Sequence, residues 1–480
     1  MAAAAYLTGR ARIAAMATLK KTMFREYDIR GQESDDELNE NSIYHITRGF
    51  GTMLRNAGIS EAIVGHDSRT TSEAFHAQAI KALMESGVNV IDIGTVTTPM
   101  SYWAQYHFKT RGLCMITASH NPVGWNGLKL GTDLSKTLGP DDIKKLYGIV
   151  EKEEYVGLTK SHIRQEDVAE AYMSDLVART HSSKKLKILI NTGNGTAGLF
   201  APGLFRHAGY EVVEHFTAVD PTYPNYTANP DGEKMMQDTG AQVVANGCDI
   251  GLAFDGDGDR LGVVDEKGQT IWPDRYMMLL SRLILSKKPG AKIVFDVKVS
   301  EALPEDINAH GGIPIMWKTG HSYIKAKLAE EKAALAGEMS GHIFFNQDYY
   351  GFDDAFFAGL KLLEYVSSQE KSISELIAET PYYISTPTIQ VKATDEDKYR
   401  IVDELVATFK KEGYKVVDVN GARVYINNGW GLVRASSNTP TLVLRFEAKT
   451  QETLDSIQGL FKKKLAAYPS VDKDWDTSGH

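Results

Sequence analysis

The sequence predicts an α/β protein: three similar α/β units in series, followed by a smaller C-terminal α+β unit. Three observations carry this expectation. A chain of 480 residues is longer than one hydrophobic core ordinarily serves, so several domains are expected. The segments EAIVGHDSRTTSEAF, KILINTGNGTAGLF and KIVFDVKVSEALPE, which begin near residues 61, 187 and 292, share one local grammar. After the third unit the pattern changes to a different order of helices and strands.

In each of the three copies a short apolar, β-branched run ends in Asp or Asn, and small polar residues then open a helical pattern. That is a strand feeding a helix N-terminus. The copies lie roughly 105 to 125 residues apart, too far for a solenoid repeat and suited to one α/β domain each. TPYYISTPTIQVKA, with Pro381 and Pro387, reads as a linker. Beyond it, helix (EDKYRIVDELVATFKKEG), strands (YKVVDVNGARVYI and TLVLRFEA) and helix (QETLDSIQGLFKKKLAAY) make a small α+β domain. Four domains around a common cleft would grip a ligand from several sides.

Composition narrows the function. A hydrophobic share of 42% and a charged share of 24% belong to a globular protein and exclude disordered and fibrous classes. The formal charge of -9 lacks the cationic field that nucleic-acid backbones require. No apolar run approaches the roughly 20 residues that span a bilayer, so no membrane partner is expected. Cys114 and Cys248 make neither a disulfide framework nor a metal-site spacing, which fits a reducing, cytoplasmic setting. Residues 1–20 contain Arg10 and Arg12 and no acid. They have the composition of an organelle-targeting segment, or of a disordered extension ahead of a start at Met16 or Met23.

The chemistry concentrates in four places. In LAFDGDGDRLGVV, Asp255, Asp257 and Asp259 alternate with glycines between two apolar runs. Three carboxylates this close repel unless a cation sits among them. Hard oxygen ligands with positions left open suit Mg²⁺. An EF-hand is excluded because its sixth position, a glycine, is Arg260 here and strands flank the loop. The competing reading is an exposed acidic hairpin turn. Arg260 could hold a phosphate by bidentate bonds.

Ser119 follows a buried strand, RGLCMIT, and stands in the loop ASHNP, where strand exits present catalytic groups. Adjacent side chains in extended backbone point to opposite faces, so His120 is poorly placed as a base for Ser119. No G-x-S-x-G elbow surrounds the serine. Taken alone, the turn reads as a hydroxyl cap. In GEMSGHIFF, Glu338, Ser340 and His342 stand at every second position. They form either a polar comb on an extended strand, able to read sugar hydroxyls, or a helix cap with a solvated glutamate. WKTGHSYIK sets Lys318 and His321 ahead of a helix, an anion-binding arrangement. In VRASSNTPTLVLRFEA, Arg434, Ser436, Ser437, Asn438 and Thr439 crowd a loop ahead of a strand. That is the composition of a phosphate cradle or of a solvated turn.

TASHNPVGWNGLKL, DGDGDR, GEMSGH and RASSNTP, in that order and one per unit, resemble the α-D-phosphohexomutase family, and closely its phosphomannomutase/phosphoglucomutase branch. FREYDIRG at 24–31 and FNQDYYGFDDAFF at 345–357 fit the same branch. The resemblance implies mixed-sheet α/β domains over residues 21–162, 163–269 and 270–381 and a C-terminal α+β domain over 382–480, around a central cleft. It implies that Ser119 is a phosphoserine whose oxygen completes a Mg²⁺ site with Asp255, Asp257 and Asp259. The implied reaction interconverts mannose 1-phosphate or glucose 1-phosphate and the 6-phosphates through a hexose 1,6-bisphosphate, with glucose or mannose 1,6-bisphosphate as activator.

By the same resemblance Arg30, Lys129 and His342 move protons or stabilise charge around Ser119, with Tyr27 beside them. Arg260, Lys298 and His321 form a cationic wall, and Glu338 and Ser340 hold sugar hydroxyls. Arg434, Ser436, Ser437, Asn438 and Thr439 hold the phosphate that is not reacting. The family's cradle often reads Arg-x-Ser-Asn-Thr, and Ser437 and Asn438 occupy its last two places here. Met339 in GEMSGH points to the mannose/glucose branch. A monomer or weak homodimer acting on sugar phosphates is expected. The rivals are a phosphoglucosamine mutase, a silent sugar-phosphate-binding homologue and a metal phosphatase.

Overall fold

Four β-sheets organise the computed structural model, which describes residues 19–436, 439–473 and 475. The expected extension, residues 1–20, lies almost wholly outside the described residues, as do Ser437 and Asn438. The chain divides into two compact units. One comprises residues up to Pro230, Lys234–Thr270 and Asp348–Glu370; the other comprises Asp231–Glu233, Ile271–Gln347 and Lys371 onward.

The first unit holds two sheets. Strands β1 (Ile29–Gln32), β2 (Glu61–His66), β3 (Asn89–Thr95), β4 (Gly112–Ile116), β5 (Trp125–Asp133), β6 (Lys136–Thr137) and β7 (Ile163–Gln165) form a mixed sheet. Its order is β1-β5-β4-β2-β3-β7, with β6 beside β5. The central strands β4, β2 and β3 run parallel, as helical crossovers demand, and β5 returns antiparallel to β4. The return sets Lys129 opposite Met115 and carries the chain through the Ser119 loop. Strands β8 (Lys187–Asn191), β9 (Glu211–His215), β10 (Ile250–Phe254), β11 (Leu261–Asp265) and β12 (Thr270–Ile271) form the second sheet, in the order β12-β11-β10-β8-β9. β10 and β11 pair antiparallel, so the three aspartates occupy the hairpin between them.

In the second unit β13 (Lys292–Asp296), β14 (Ile313–Trp317), β15 (Leu335–Gly337) and β16 (Ile343–Phe345) form a sheet ordered β14-β13-β15-β16. The last sheet contains β17 (Ile384–Ser385), β18 (Ile389–Lys392), β19 (Lys415–Val417), β20 (Ala422–Ile426), β21 (Gly429–Ala435) and β22 (Thr441–Ala448). Helices Lys398–Lys411 and Gln451–Leu465 bury their apolar stripes in this sheet's core, with Leu405, Phe409, Ile457 and Phe461 packed on Val433 and Phe446.

Two expectations are refined here. The segment read as a linker contains β17 and β18, which pair with β22; Ile389 and Val391 alternate inward, and that period-2 pattern outweighs the prolines. Arg434 lies within strand β21, which pairs on both sides with β20 and β22, rather than in a loop; the GWG opening lacks the β-branched residues that would mark the strand in the sequence.

Along β21, Val433 and Ala435 join the helix-covered core, while Trp430 and Leu432 pack with Val297 of the preceding domain. Arg423 stacks on Trp430, with its guanidinium 3.7 Å from the indole centroid. It donates to the carbonyls of Val297 and Val299 at 2.7 and 2.8 Å and to Glu301 at 2.8 Å. Arg445 donates to the intervening carbonyl of Lys298. Three successive carbonyls after β13 are thus held by two guanidinium groups of the last sheet.

No helix among the described residues is long and apolar enough to cross a membrane. Helix Ala355–Ser367 belongs to the first unit, where Phe356 packs on Phe254 and Tyr172. Its N-cap Asp354 is buried and accepts from Tyr349 and Tyr172 hydroxyls at 2.6 and 2.9 Å and from Phe357 N at 2.9 Å. Burial nevertheless pushes its carboxyl up to about 6. The folded state then holds a proton that the unfolded chain releases near pH 3.9. The stability this proton contributes is full below about pH 4 and is lost as pH rises through about 6. Asp354→Asn, which carries no such proton, is expected to gain roughly 2–3 kcal/mol relative to the unsubstituted protein between about pH 4 and pH 7, read by urea unfolding.

Candidate active site

Ser119 sits in the loop between β4 and β5 with φ of 51°, the left-handed region that costs a residue with a Cβ about 1–2 kcal/mol. Its N–H donates to Thr117 Oγ1 at 2.8 Å. Its hydroxyl donates to Asp255 Oδ2 at 2.7 Å and lies 3.2 Å from His120 Nδ1. This corrects the reading of His120. The left-handed turn at Ser119 breaks the extended alternation and brings the two neighbouring side chains together.

Asp255, Asp257 and Asp259 are fully buried, so the hairpin reading is right about the turn and wrong about exposure. One oxygen from each lies within 4.8 Å of the others. Asp255 Oδ1 accepts the backbone N–H groups of Asp259 and Arg260 at 3.0 and 3.1 Å. Asp257 Oδ2 accepts from Thr98 Oγ1 (2.6 Å), Thr117 Oγ1 (3.1 Å) and Lys129 Nζ (2.8 Å). Lys129 also reaches Asp259 Oδ2 at 2.5 Å. Helix Thr98–Phe108 begins here, with Thr98 N donating to the carbonyl of Asp257, and its N-terminal dipole favours the negative charge.

The local folding follows from small residues. Gly256 touches the serine loop so closely that a Cβ there would lie 2.4 Å from the Ser119 carbonyl oxygen. Thr196, from the NTGNGT segment after β8, donates its N–H to the Gly256 carbonyl, and its hydroxyl accepts from Ser68 N at 2.9 Å. All three loops therefore meet at one glycine.

Electrostatics divide the carboxylates. Burial, then Asp259 and Asp257, drive the Asp255 carboxyl well above the usual range. Asp257 is held far below it, against the cost of burial, by Lys129, Thr98 and Arg30. Burial opposes the Lys129 charge, but Asp257 and Asp259 raise the amine well above its ordinary value, so Lys129 stays protonated. Asp257 Oδ1 is buried and has no hydrogen-bond partner among the described residues. A buried, anionic oxygen with no hydrogen-bond donor, beside two more carboxylates, could serve a cation as ligand.

The other expected residues separate into groups. Arg30, on β1, pairs with Asp28 at 2.9 Å and donates to the Ala118 carbonyl and, at 2.8 Å, to Asn121 Oδ1. Tyr27 lies in the bend before β1. Arg260 Nε is 4.0 Å from Asp255 Oδ2. In the second unit, GEMSGH is neither an extended comb nor a helix cap: it is the tight turn joining β15 to β16, closed by Glu338 N donating to the His342 carbonyl. Two residues of the turn bury their side chains. Glu338 accepts from Gly320 N at 2.5 Å, and burial followed by Asp296 pushes its carboxyl upward despite His342. The His342 ring lies 5.5 Å from that of His321, the first residue of helix His321–Glu331. Ser340 is partly exposed. Lys298 stands 3.7 Å from Asp296, which also takes Thr319 Oγ1 at 3.0 Å. Lys318 lies over the Tyr323 ring. At the end of β21, Ser436 Oγ accepts from Thr439 N and Oγ1 at 3.2 and 2.8 Å, beside Arg434.

Sequence reasoning passed over Asp67, Arg69, Thr98, Thr117 and Asp296. Asp67 and Asp296 had a signal, since each ends or follows the first strand of a repeated unit. Thr98 and Thr117 carried none, because a lone threonine has no motif.

The site generates one expectation directly. A divalent cation, titrated as Mg²⁺ or Mn²⁺ against a chelated control, should raise the melting temperature, by an amount equivalent to about 2.7 kcal/mol at a hundredfold excess over Kd. Asp257→Asn should abolish that shift.

Comparison with known proteins matches this arrangement at every domain. The descriptions "Phosphoglucomutase/phosphomannomutase, alpha/beta/alpha domain" I, II and III match residues 21–156, 170–268 and 272–383, and that of the C-terminal domain matches 389–464. A phosphomannomutase/phosphoglucomutase of Pseudomonas putida is 40% identical over 449 residues, covering 94% of this chain and 96% of that relative. A phosphoglucomutase of Neisseria gonorrhoeae is 39% identical over 461 residues, covering 95% and 99%. A solved phosphoglucomutase/phosphomannomutase family protein from Burkholderia thailandensis is 37% identical, covers 95% of this chain and 99% of its own, and superposes with a TM-score of 0.88. With all four domains matched in one order and relatives about 40% identical over nearly the whole chain, the chain belongs to the phosphoglucomutase/phosphomannomutase family.

Proposed function

We propose that the protein is a phosphohexomutase that interconverts the 1- and 6-phosphates of mannose and glucose through a phosphorylated Ser119. The observation that carries this reading is the Ser119 hydroxyl, 2.7 Å from Asp255 at the edge of a buried carboxylate trio. A nucleophile so placed has its charge managed by a cation, which is what phosphoryl transfer needs more than a strong base.

In this reading phosphoserine 119 gives its phosphoryl group to the free hydroxyl of a hexose 1-phosphate. The P–Oγ bond breaks, a phosphorus–oxygen bond to the sugar forms, the sugar hydroxyl gives up its proton, and the freed serine oxygen takes one up, so the protons balance. The resulting 1,6-bisphosphate turns end for end and returns its other phosphoryl group to Ser119, releasing the 6-phosphate. Mg²⁺, held by Asp255, Asp257 and Asp259 with a phosphoserine oxygen, would neutralise charge on the phosphoryl oxygens. Lys129, kept protonated between Asp257 and Asp259, and Arg30 supply fixed positive charge. His120, at 3.2 Å from Oγ, is placed to exchange a proton with the serine oxygen. His342 is assigned to proton movement on the sugar side.

Glu338 and Ser340 are assigned to sugar hydroxyls, with Arg260, Lys298, His321 and Tyr27 around the phosphates. Arg434, Ser436, Ser437, Asn438 and Thr439 are assigned to the non-reacting phosphate. Acceptance of both sugars is supported by relatives carrying either name, phosphomannomutase/phosphoglucomutase or phosphoglucomutase, and by Met339 in the sugar-binding turn. Glucose or mannose 1,6-bisphosphate is the expected activator, because it phosphorylates Ser119 without a separate kinase.

Phosphorus NMR with Mg²⁺, a trace of glucose 1,6-bisphosphate and either mannose 1-phosphate or glucose 1-phosphate tests the reading. Both should convert to 6-phosphates, and Ser119→Ala should cut the rate on the order of 1,000-fold or more. Release of inorganic phosphate alone would make the protein a hydrolase, and conversion of glucosamine 1-phosphate in preference to both sugars would move it to the amino-sugar branch.

A further inference from the structure

We infer that Arg69 is a positioning residue for transfer at Ser119: its guanidinium fork fixes the serine loop in the backbone conformation that directs Oγ at Asp255. The inference rests on the mutase reading and adds a residue to its machinery. Arg69 NH2 donates to the carbonyls of Ser119 (2.8 Å) and Asn121 (2.6 Å), and NH1 donates to those of Pro122 (3.0 Å) and Trp125 (3.1 Å). Three carbonyls of one short loop and that of the first residue of β5 therefore converge on a single side chain. Oxygens so gathered repel one another unless a multidentate cation stands at their centre, and only arginine carries planar paired donors.

The arginine is itself held. Its Nε lies 3.3 Å from Asp67 Oδ2, with side chains 3% and 1% exposed. Asp67 Oδ1 in turn accepts from Arg69 N at 3.1 Å and Ser72 Oγ at 2.5 Å. The Tyr223 ring lies 5.5 Å from the guanidinium carbon.

The consequence for Ser119 is geometric. Thr117 takes the Ser119 N–H and Arg69 takes its carbonyl, so the peptide planes on both sides of its Cα are fixed. Rotation about the Cα–Cβ bond is all that remains to the hydroxyl. A left-handed serine, which relaxes if released, is kept where its oxygen meets the carboxylate trio. Arg69 touches neither a metal-binding oxygen nor the sugar in this role; it acts through the serine's backbone carbonyl.

Arg69→Met and Arg69→Lys separate this role from simple support of the fold. Lysine keeps the buried charge against Asp67 but not the fork, so it carries the test should the methionine variant fail to fold. In both, kcat for glucose 1-phosphate is expected to fall about 100-fold, with KM within about threefold. Amide hydrogen exchange across residues 117–126 should accelerate while the rest of the unit keeps its protection. Added guanidinium ion should restore part of kcat in Arg69→Ala and none in Ser119→Ala. Unchanged kcat and unchanged loop exchange in a folded variant would overturn the inference. So would kcat and KM losses of equal size with a general loss of protection and no guanidinium rescue. Failure of the unsubstituted enzyme to isomerise either sugar would instead sink the mutase reading, and the loop exchange would still report on Arg69.

Discussion

Like charges in a medium of low polarizability set the terms for the first unit. Three buried carboxylates with an oxygen of each within 4.8 Å of the others cannot all be ionised without compensation. The surroundings of Asp255, Asp257 and Asp259 distribute that compensation. Two backbone N–H groups and the serine hydroxyl serve Asp255, two threonines and a lysine serve Asp257, and the same lysine serves Asp259. The remaining deficit is what a bound cation could supply. Thr98 at a helix start and Lys129 on β5 of the first sheet are recruited to this one loop of the second, so the two sheets of the unit are tied together by its electrostatics.

A second device recurs where loops must be held without a core. Arginine forks collect carbonyl oxygens that strands and helices leave unsatisfied. Arg69 and Arg30 do so around Ser119, and Arg423 and Arg445 do so around Lys298. In both units a residue assigned to substrate or transfer has its own carbonyl gripped from an element distant in sequence. Loops outside the regular ladders thereby have their carbonyls paired much as secondary structure would pair them.

The fold class was legible because strand-to-helix grammar repeats three times, and repetition at domain spacing has few alternative causes. Ser119, the aspartates and the two histidines of the third domain stood out as dense polar clusters between apolar runs. What stayed hidden was long-range. Nothing near Thr98 says that it will face Asp257, 159 residues away, and nothing near Arg69 says that its acceptors lie some 50 residues on. The His120 reading failed for a local reason: alternation presumes extended backbone, and no sequence pattern marks a non-glycine left-handed residue. β21 was missed because its glycines, needed where Phe461 packs against Gly431, remove the usual strand signal.

The positive φ at Ser119 also constrains which amino acids evolution can try there. Threonine offers the same hydroxyl and the same capacity to carry a phosphoryl group, so by chemistry alone the exchange is silent. Backbone sterics forbid it: a β-branched residue at φ of 51° is a true outlier, whereas asparagine and aspartate tolerate that region. Substitutions at this position are therefore sorted by conformation before reactivity. Asparagine fits the backbone but has no oxygen nucleophile, aspartate fits it but would carry a phosphoryl group only as a more labile acyl phosphate, and threonine keeps the hydroxyl but not the backbone.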